Sequence, residues 1–80
     1  MRIPYVVEYK HTVSNIYKHV LKNYGFNELI FITQDSHAYY FDGSIDDKPV
    51  NIKVVINGEQ VEVWSRSIDE IDYEFVTIII

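Results

Sequence analysis

Asp35, Ser36 and His37 stand in a row, the three residue types of a hydrolase triad, with Asp42 close behind. In a triad the hydroxyl attacks a carbonyl, the imidazole takes its proton and the carboxylate orients the imidazole. That chemistry needs the three side chains within hydrogen-bond reach of one another. Neighbours along an extended chain point to opposite faces, so three consecutive residues do not converge in that way. Asp and Ser are good turn formers instead, because their oxygens bond nearby backbone amides. The stretch reads as a turn at Asp35–Ser36 between two strands. A two-residue turn there sets Gln34 against His37, Ile32 against Tyr39 and Ile30 against Phe41.

The remaining candidates for chemistry fare no better. "DGSIDDKP" (42–49) lacks the Asp-x-Asp-x-Asp-Gly spacing and closing Glu of a calcium loop, and reads as a solvated acidic loop. His11, His19 and His37 have no short zinc-ligand spacing, and His19 falls on a polar helix face with Asn15, Lys18 and Lys22. Gly25, Gly43 and Gly58 are the only glycines and all fall at expected turns, so no phosphate-cradling loop is present. Nothing supplies a general base with an orienting partner. The expectation is a protein that is not an enzyme, with no cofactor and no metal.

The elements that position these residues follow from size and periodicity. Eighty residues, 48% of them hydrophobic, make one α+β domain over 1–80 with a small core. Cysteine is absent, so neither a disulfide nor a thiolate zinc site supplements that core, and self-association becomes the natural supplement. No apolar run approaches the roughly 18 residues of a membrane span and no signal-peptide pattern opens the chain, so no membrane association and a cytoplasmic location are expected. Ile, Tyr, Asn and Lys total 29 residues against 8 for Ala, Gly, Pro and Arg. That skew matches AT-rich codons, as in many phages and mobile elements.

"IPYVVEYK" (3–10) reads as a strand. In 12–24 the period changes: Val13, Ile16, Tyr17, Val20, Leu21 and Tyr24 form one helical stripe, capped by Thr12 and closed by Gly25 with Phe26 folding back on Leu21. "NELIFITQ" and "HAYYFD" then read as strands, and "VNIKVVINGEQVEVW" as a hairpin with Asn57-Gly58 as a type I′ turn. "SIDE" (67–70) has capping-box spacing, which predicts a short helical turn over 68–72. "DYEFVTIII" closes the chain as a strand. Together these make a mostly antiparallel sheet with the amphipathic helix of residues 12–24 packed on one face.

One helix covers one sheet face. In the Asn57-Gly58 hairpin Ile52, Val54, Ile56, Val61 and Val63 share the side suited to the helix, which turns Val55 and Trp64 away. The Asp35–Ser36 turn likewise turns Leu29, Phe31 and Tyr40 away. Leu29, Phe31, Tyr40, Val55 and Trp64 are therefore the expected partner-binding surface, since Trp and Tyr dominate interface hot spots.

Charge narrows the partner. Residues 1–27 balance to +3 and residues 28–80 to −8, giving the net −5. A net negative chain lacks the electrostatic footprint of a nucleic-acid binder. The acidic set Asp69, Glu70, Asp72 and Glu74 suits solvent, a basic partner, or imitation of DNA phosphate toward a nucleic-acid-binding protein. The residues point to a binding protein acting by protein–protein contact, an inhibitor or accessory factor. The alternatives are a structural homo-oligomer, a homodimer for instance, and a DNA mimic.

Overall fold

Apolar residues three and four apart wind the chain into a helix, and glycine ends it. The computed structural model describes residues 15–79, so the strand expected over 3–10, the Thr12 cap, His11 and Val13 lie outside the described residues. Residues 15–22 (α1) are helical, two residues short of the expected end. Gly25 takes a φ of +94°, a conformation glycine adopts without steric cost. The Gly25 amide donates to the Lys22 carbonyl at 3.2 Å and the Phe26 amide to the Leu21 carbonyl at 3.3 Å. This pair of bonds is a Schellman cap, and Leu21 and Phe26 are buried together as such a cap favours. The predicted stripe is narrower than expected. Tyr17 and Leu21 face the core, but Ile16 is 53% exposed and Tyr24, already past the helix, is also exposed.

Five antiparallel strands follow: β1 (Asn27–Gln34), β2 (Ala38–Ile45), β3 (Lys48–Asn57), β4 (Gln60–Ser67) and β5 (Glu74–Ile78). Their order in the sheet is their order in the chain. With α1, they make a small α+β domain.

Each turn differs from its sequence reading in an instructive way. Between β3 and β4, Asn57 pairs with Gln60, so the two-residue loop is Gly58–Glu59 and not Asn57–Gly58. Gly58 has φ +66° while Glu59 stays in the ordinary region, the signature of a type II′ turn. The register moves by two, which preserves every side chain's face. Between β2 and β3 the acidic stretch is a tight hairpin, with Ile45 paired to Lys48 and positive φ at both Asp46 and Asp47. After β4, the amide of Ser67 donates to Glu70 Oε1 and its carbonyl accepts from the Glu70 amide, which closes a turn but no helical turn.

The β1–β2 register overturns an expectation. Ile30 pairs with Asp42 and Phe31 with Phe41, one residue away from the predicted match. A one-residue slip exchanges the faces of a strand. Leu29 and Phe31 therefore turn inward against the core, and Ile30 and Ile32 turn outward at 61% and 52% exposure. The Phe31 ring meets Phe41 edge-on, with centroids 5.6 Å apart. β1 also approaches β2 closely at Gly43. A β-carbon there would lie 2.9 Å from the Asn27 carbonyl oxygen and from Leu29 Cδ2. Beside it the buried Ser44 donates its hydroxyl to Glu28 Oε1 at 2.9 Å.

The core joins Leu21 and Phe26 to Tyr39 and Phe41 of β2, Val50, Ile52 and Val54 of β3, and Val61 and Val63 of β4. Tyr17 from α1 stands edge-on to Tyr39 at 5.1 Å, which locates the helix on this face of the sheet. Among the described residues Phe26, Phe41, Leu21, Ile52, Val54 and Val63 are the largest fully buried side chains, each contributing about 1.5–3 kcal/mol by leaving water. The opposite face has no helix among the described residues.

Candidate binding surface

The Asp35 carboxylate is fully occupied by its own turn. Oδ1 accepts from the amides of His37 at 2.8 Å and Ala38 at 2.9 Å, and Oδ2 accepts from the Tyr40 hydroxyl at 2.9 Å. The Asp35 amide donates to the Ala38 carbonyl, and the Ile56 amide reaches across to the carbonyl of His37. These bonds lower the Asp35 pKa, the His37 amide most and the Tyr40 hydroxyl next. The same hydroxyl bond, with burial, raises the pKa of Tyr40. Ser36 and His37 are exposed, and no hydrogen bond links the side chains of Asp35, Ser36 and His37. The stretch is a turn, with three loop residues where two were expected.

The sheet face away from α1 carries the more distinctive cluster. Strand pairing lays Tyr40, Lys53, Trp64 and Phe75 in one row across four strands. Trp64 and Phe75 meet edge-on with centroids 5.4 Å apart, and the indole N–H donates to Glu62 Oε1 at 3.1 Å. The Lys53 ammonium lies 5.7 Å from the Trp64 ring centre and 4.3 Å from that of Tyr73, while the Arg66 guanidinium lies 4.4 Å from Tyr73. One tyrosine ring thus receives two cations, each contact contributing about 0.5–1 kcal/mol at a solvated site. Arg66 is fixed further by donating from Nε to Asn51 Oδ1 and from Nη1 to the Ile71 carbonyl. Asn51 in turn donates to Asp42. This chain of bonds ties the β4–β5 connection down onto the sheet. Between connection and sheet runs an open groove of about 540 Å³, floored by Val55 and Trp64 and walled by Ile71, Asp72 and Tyr73.

Of the five residues expected here, Tyr40, Val55 and Trp64 do share this face, each half-buried. Leu29 and Phe31 do not, because the β1 slip sends them to the core. Ile30 takes the outward place beside Asp42. Asp69, Glu70 and Asp72 lie exposed on the β4–β5 connection, with Glu74 exposed at the start of β5. Tyr73, Phe75 and Ile71 were missed by the sequence reading. The alternation Tyr73-Glu74-Phe75, two aromatics around a charge, was the available signal for the first two. Among the described residues no three of His, Asp and Glu converge as a metal site, and no helix is long and apolar enough to cross a membrane. Comparison with protein-family models, with characterised proteins and with solved structures found no match.

Proposed function

We propose that the protein is a non-enzymatic binding protein that works by protein–protein contact, through the sheet face opposite α1. One observation carries the reading: Ile71, at 85% exposure, stands beside the Trp64 groove, with Phe75 half exposed next to it. Contiguous apolar surface of this kind is characteristic of contact sites, and Trp, Tyr and Arg concentrate binding energy within them. Asp69, Glu70, Asp72 and Glu74 border the apolar residues, so a partner with a basic rim complements the surface and is steered to it. The role that suits so small a domain is inhibitor or accessory factor of a larger cytoplasmic protein, of the kind a phage or mobile element encodes.

The test is affinity capture from the source organism with four forms of the full chain: wild type, Ser36→Ala, Ile71→Ser and Trp64→Ala. A partner should be retained by wild type and Ser36→Ala. Titration should show Trp64→Ala weakening that association by about 2 kcal/mol or more, with Ile71→Ser weakening it less. Thermal melts of each form separate lost binding from lost folding. A partner held equally by all four forms places the contact elsewhere and ends this reading.

A further inference from the structure

We propose that Asn57 is a site of spontaneous deamidation, in which the main-chain nitrogen of Gly58 displaces ammonia and residue 57 becomes aspartate or isoaspartate. The proposal does not rest on the partner-binding reading, because it uses the β3–β4 turn and not the Trp64 groove. In the first step the Gly58 nitrogen attacks Cγ of Asn57. A nitrogen–carbon bond forms, the bond from Cγ to Nδ2 breaks, and Nδ2 leaves as ammonia. The proton that the Gly58 nitrogen loses balances the one that ammonia gains. Water then opens the resulting succinimide ring at either carbonyl. One opening gives aspartate, and the other gives isoaspartate, whose main chain runs through the side-chain carbon. Attack is fastest when the nitrogen belongs to glycine, which has no β-carbon to crowd the approach.

The structure separates this asparagine from its neighbours in sequence. Asn57 and Gly58 are both exposed, and a β-carbon on Gly58 would meet nothing within 4 Å. Among the described residues the Gly58 amide donates to no main-chain carbonyl, and no hydrogen bond holds the Asn57 carboxamide. Asn57 is the last residue of β3 and pairs with Gln60 at the very end of the ladder. Opening that one pair frees its main chain to bring the Gly58 nitrogen against Cγ, and strand ends open at little cost. Other asparagines are held. The amide that follows Asn23 donates to the Leu21 carbonyl, and the Asn27 carboxamide donates to the Gly25 carbonyl at 3.3 Å. Asn51 sits in mid-strand, donating to Asp42 and accepting from Arg66, ahead of the buried Ile52. Either product adds a negative charge beside Glu59 to a chain already at −5. Isoaspartate also lengthens the main chain at the residue that closes the hairpin, so the match to Gln60 is lost.

Incubation of the folded full chain at mildly alkaline pH, followed by trypsin digestion and mass spectrometry, tests the proposal. Cleavage after Lys53 and Arg66 isolates residues 54–66, whose single asparagine is Asn57, from residues 23–53, which carry Asn23, Asn27 and Asn51. The first peptide should gain the mass of amide-to-acid exchange about tenfold faster than the second, a barrier difference of about 1.4 kcal/mol. Isoaspartate should appear among its products. Gly58→Ala should slow the exchange by a similar factor. Asn57→Gln, whose ring would be one carbon larger, should nearly abolish it, and thermal melts show which variants are folded. Exchange at Asn57 no faster than in residues 23–53 overturns the proposal. So does exchange at the wild-type rate in either folded variant.

Discussion

In the β3–β4 hairpin apolar and polar residues alternate, so Ile52, Val54, Val61 and Val63 go inward and Lys53, Glu62 and Trp64 go outward. In β1, four apolar residues follow one another from Leu29 to Ile32, and either pair could face the core. The two regions therefore hold register by different means. β3–β4 is held by pattern along its whole length, because moving it by one residue would bury Lys53 and Glu62. β1–β2 is held at its ends, by the Asp35 carboxylate that captures two amides and by the close passage of β1 over Gly43. Where side-chain pattern is degenerate, turn chemistry and one glycine decide which residues are core.

The comparison can be attacked first where it should hurt most. Phe41 is fully buried and pairs with both β1 and β3, so Phe41→Ala should cost about 3–5 kcal/mol in urea unfolding. The sharper version contrasts neighbours: Phe31→Ala should cost about 2–3 kcal/mol and Ile30→Ala under about 1 kcal/mol. If Ile30→Ala proved the more damaging, β1 would sit in the register that a two-residue turn predicts. Gly43→Ala comes next, at about 1–3 kcal/mol, since its methyl would overlap Asn27 and Leu29. Hydrogen exchange should show β1 amides losing protection while those of β3 and β4 keep theirs. Gly58→Ala meets no neighbour within 4 Å but holds φ +66°, so about 1 kcal/mol of backbone strain is expected with the β3–β4 register unchanged.

The smallest effect should come from Asp35→Asn, because an amide oxygen can still accept from the two main-chain amides. Its signature is in pH dependence. The folded Asp35 pKa lies below its ordinary value of about 3.9, so its contribution is complete above about pH 4 and fades as pH falls through the folded value. Tyr40 works in the other direction: its folded pKa lies above about 10, so its contribution is complete below that and fades as pH rises through the folded value. Asp35→Asn should flatten the acid limb of a stability-against-pH curve measured by thermal melting. An unchanged acid limb would mean that the turn does not depend on the charge.

The same contrast explains what was legible in the sequence. The helix cap was readable because Gly25 admits the left-handed conformation and Phe26 is the apolar residue such a cap folds back. The side of Trp64 was readable because the error at the Gly58 turn was even, and an even error preserves faces. Leu29 and Phe31 were misplaced because turn length at Asp35 depends on how many amides one carboxylate captures, which composition does not reveal. The Asp46–Asp47 hairpin escaped because aspartate tolerates positive φ without advertising it as glycine does. The aromatic cluster was half visible: Trp64 and Tyr40 follow from β2–β4 pairing, but Tyr73 and Phe75 depend on how β5 returns, and nothing local encodes that return.

A strand order that repeats the chain order also bears on how quickly the sheet assembles. Every described strand finds its partner one turn away, so the loops that must close are short and their entropic cost is small. Structures dominated by such local pairings reach the native state faster than sheets whose strands cross over. On a chain emerging from the ribosome the strands can zip in the order of synthesis, each docking on an edge its predecessor has just formed. β5 is last, after a six-residue gap from Ile68 to Tyr73 where the earlier turns take two or three. Until it arrives, β4 is the growing edge, and the indole of Trp64 waits there without the ring of Phe75.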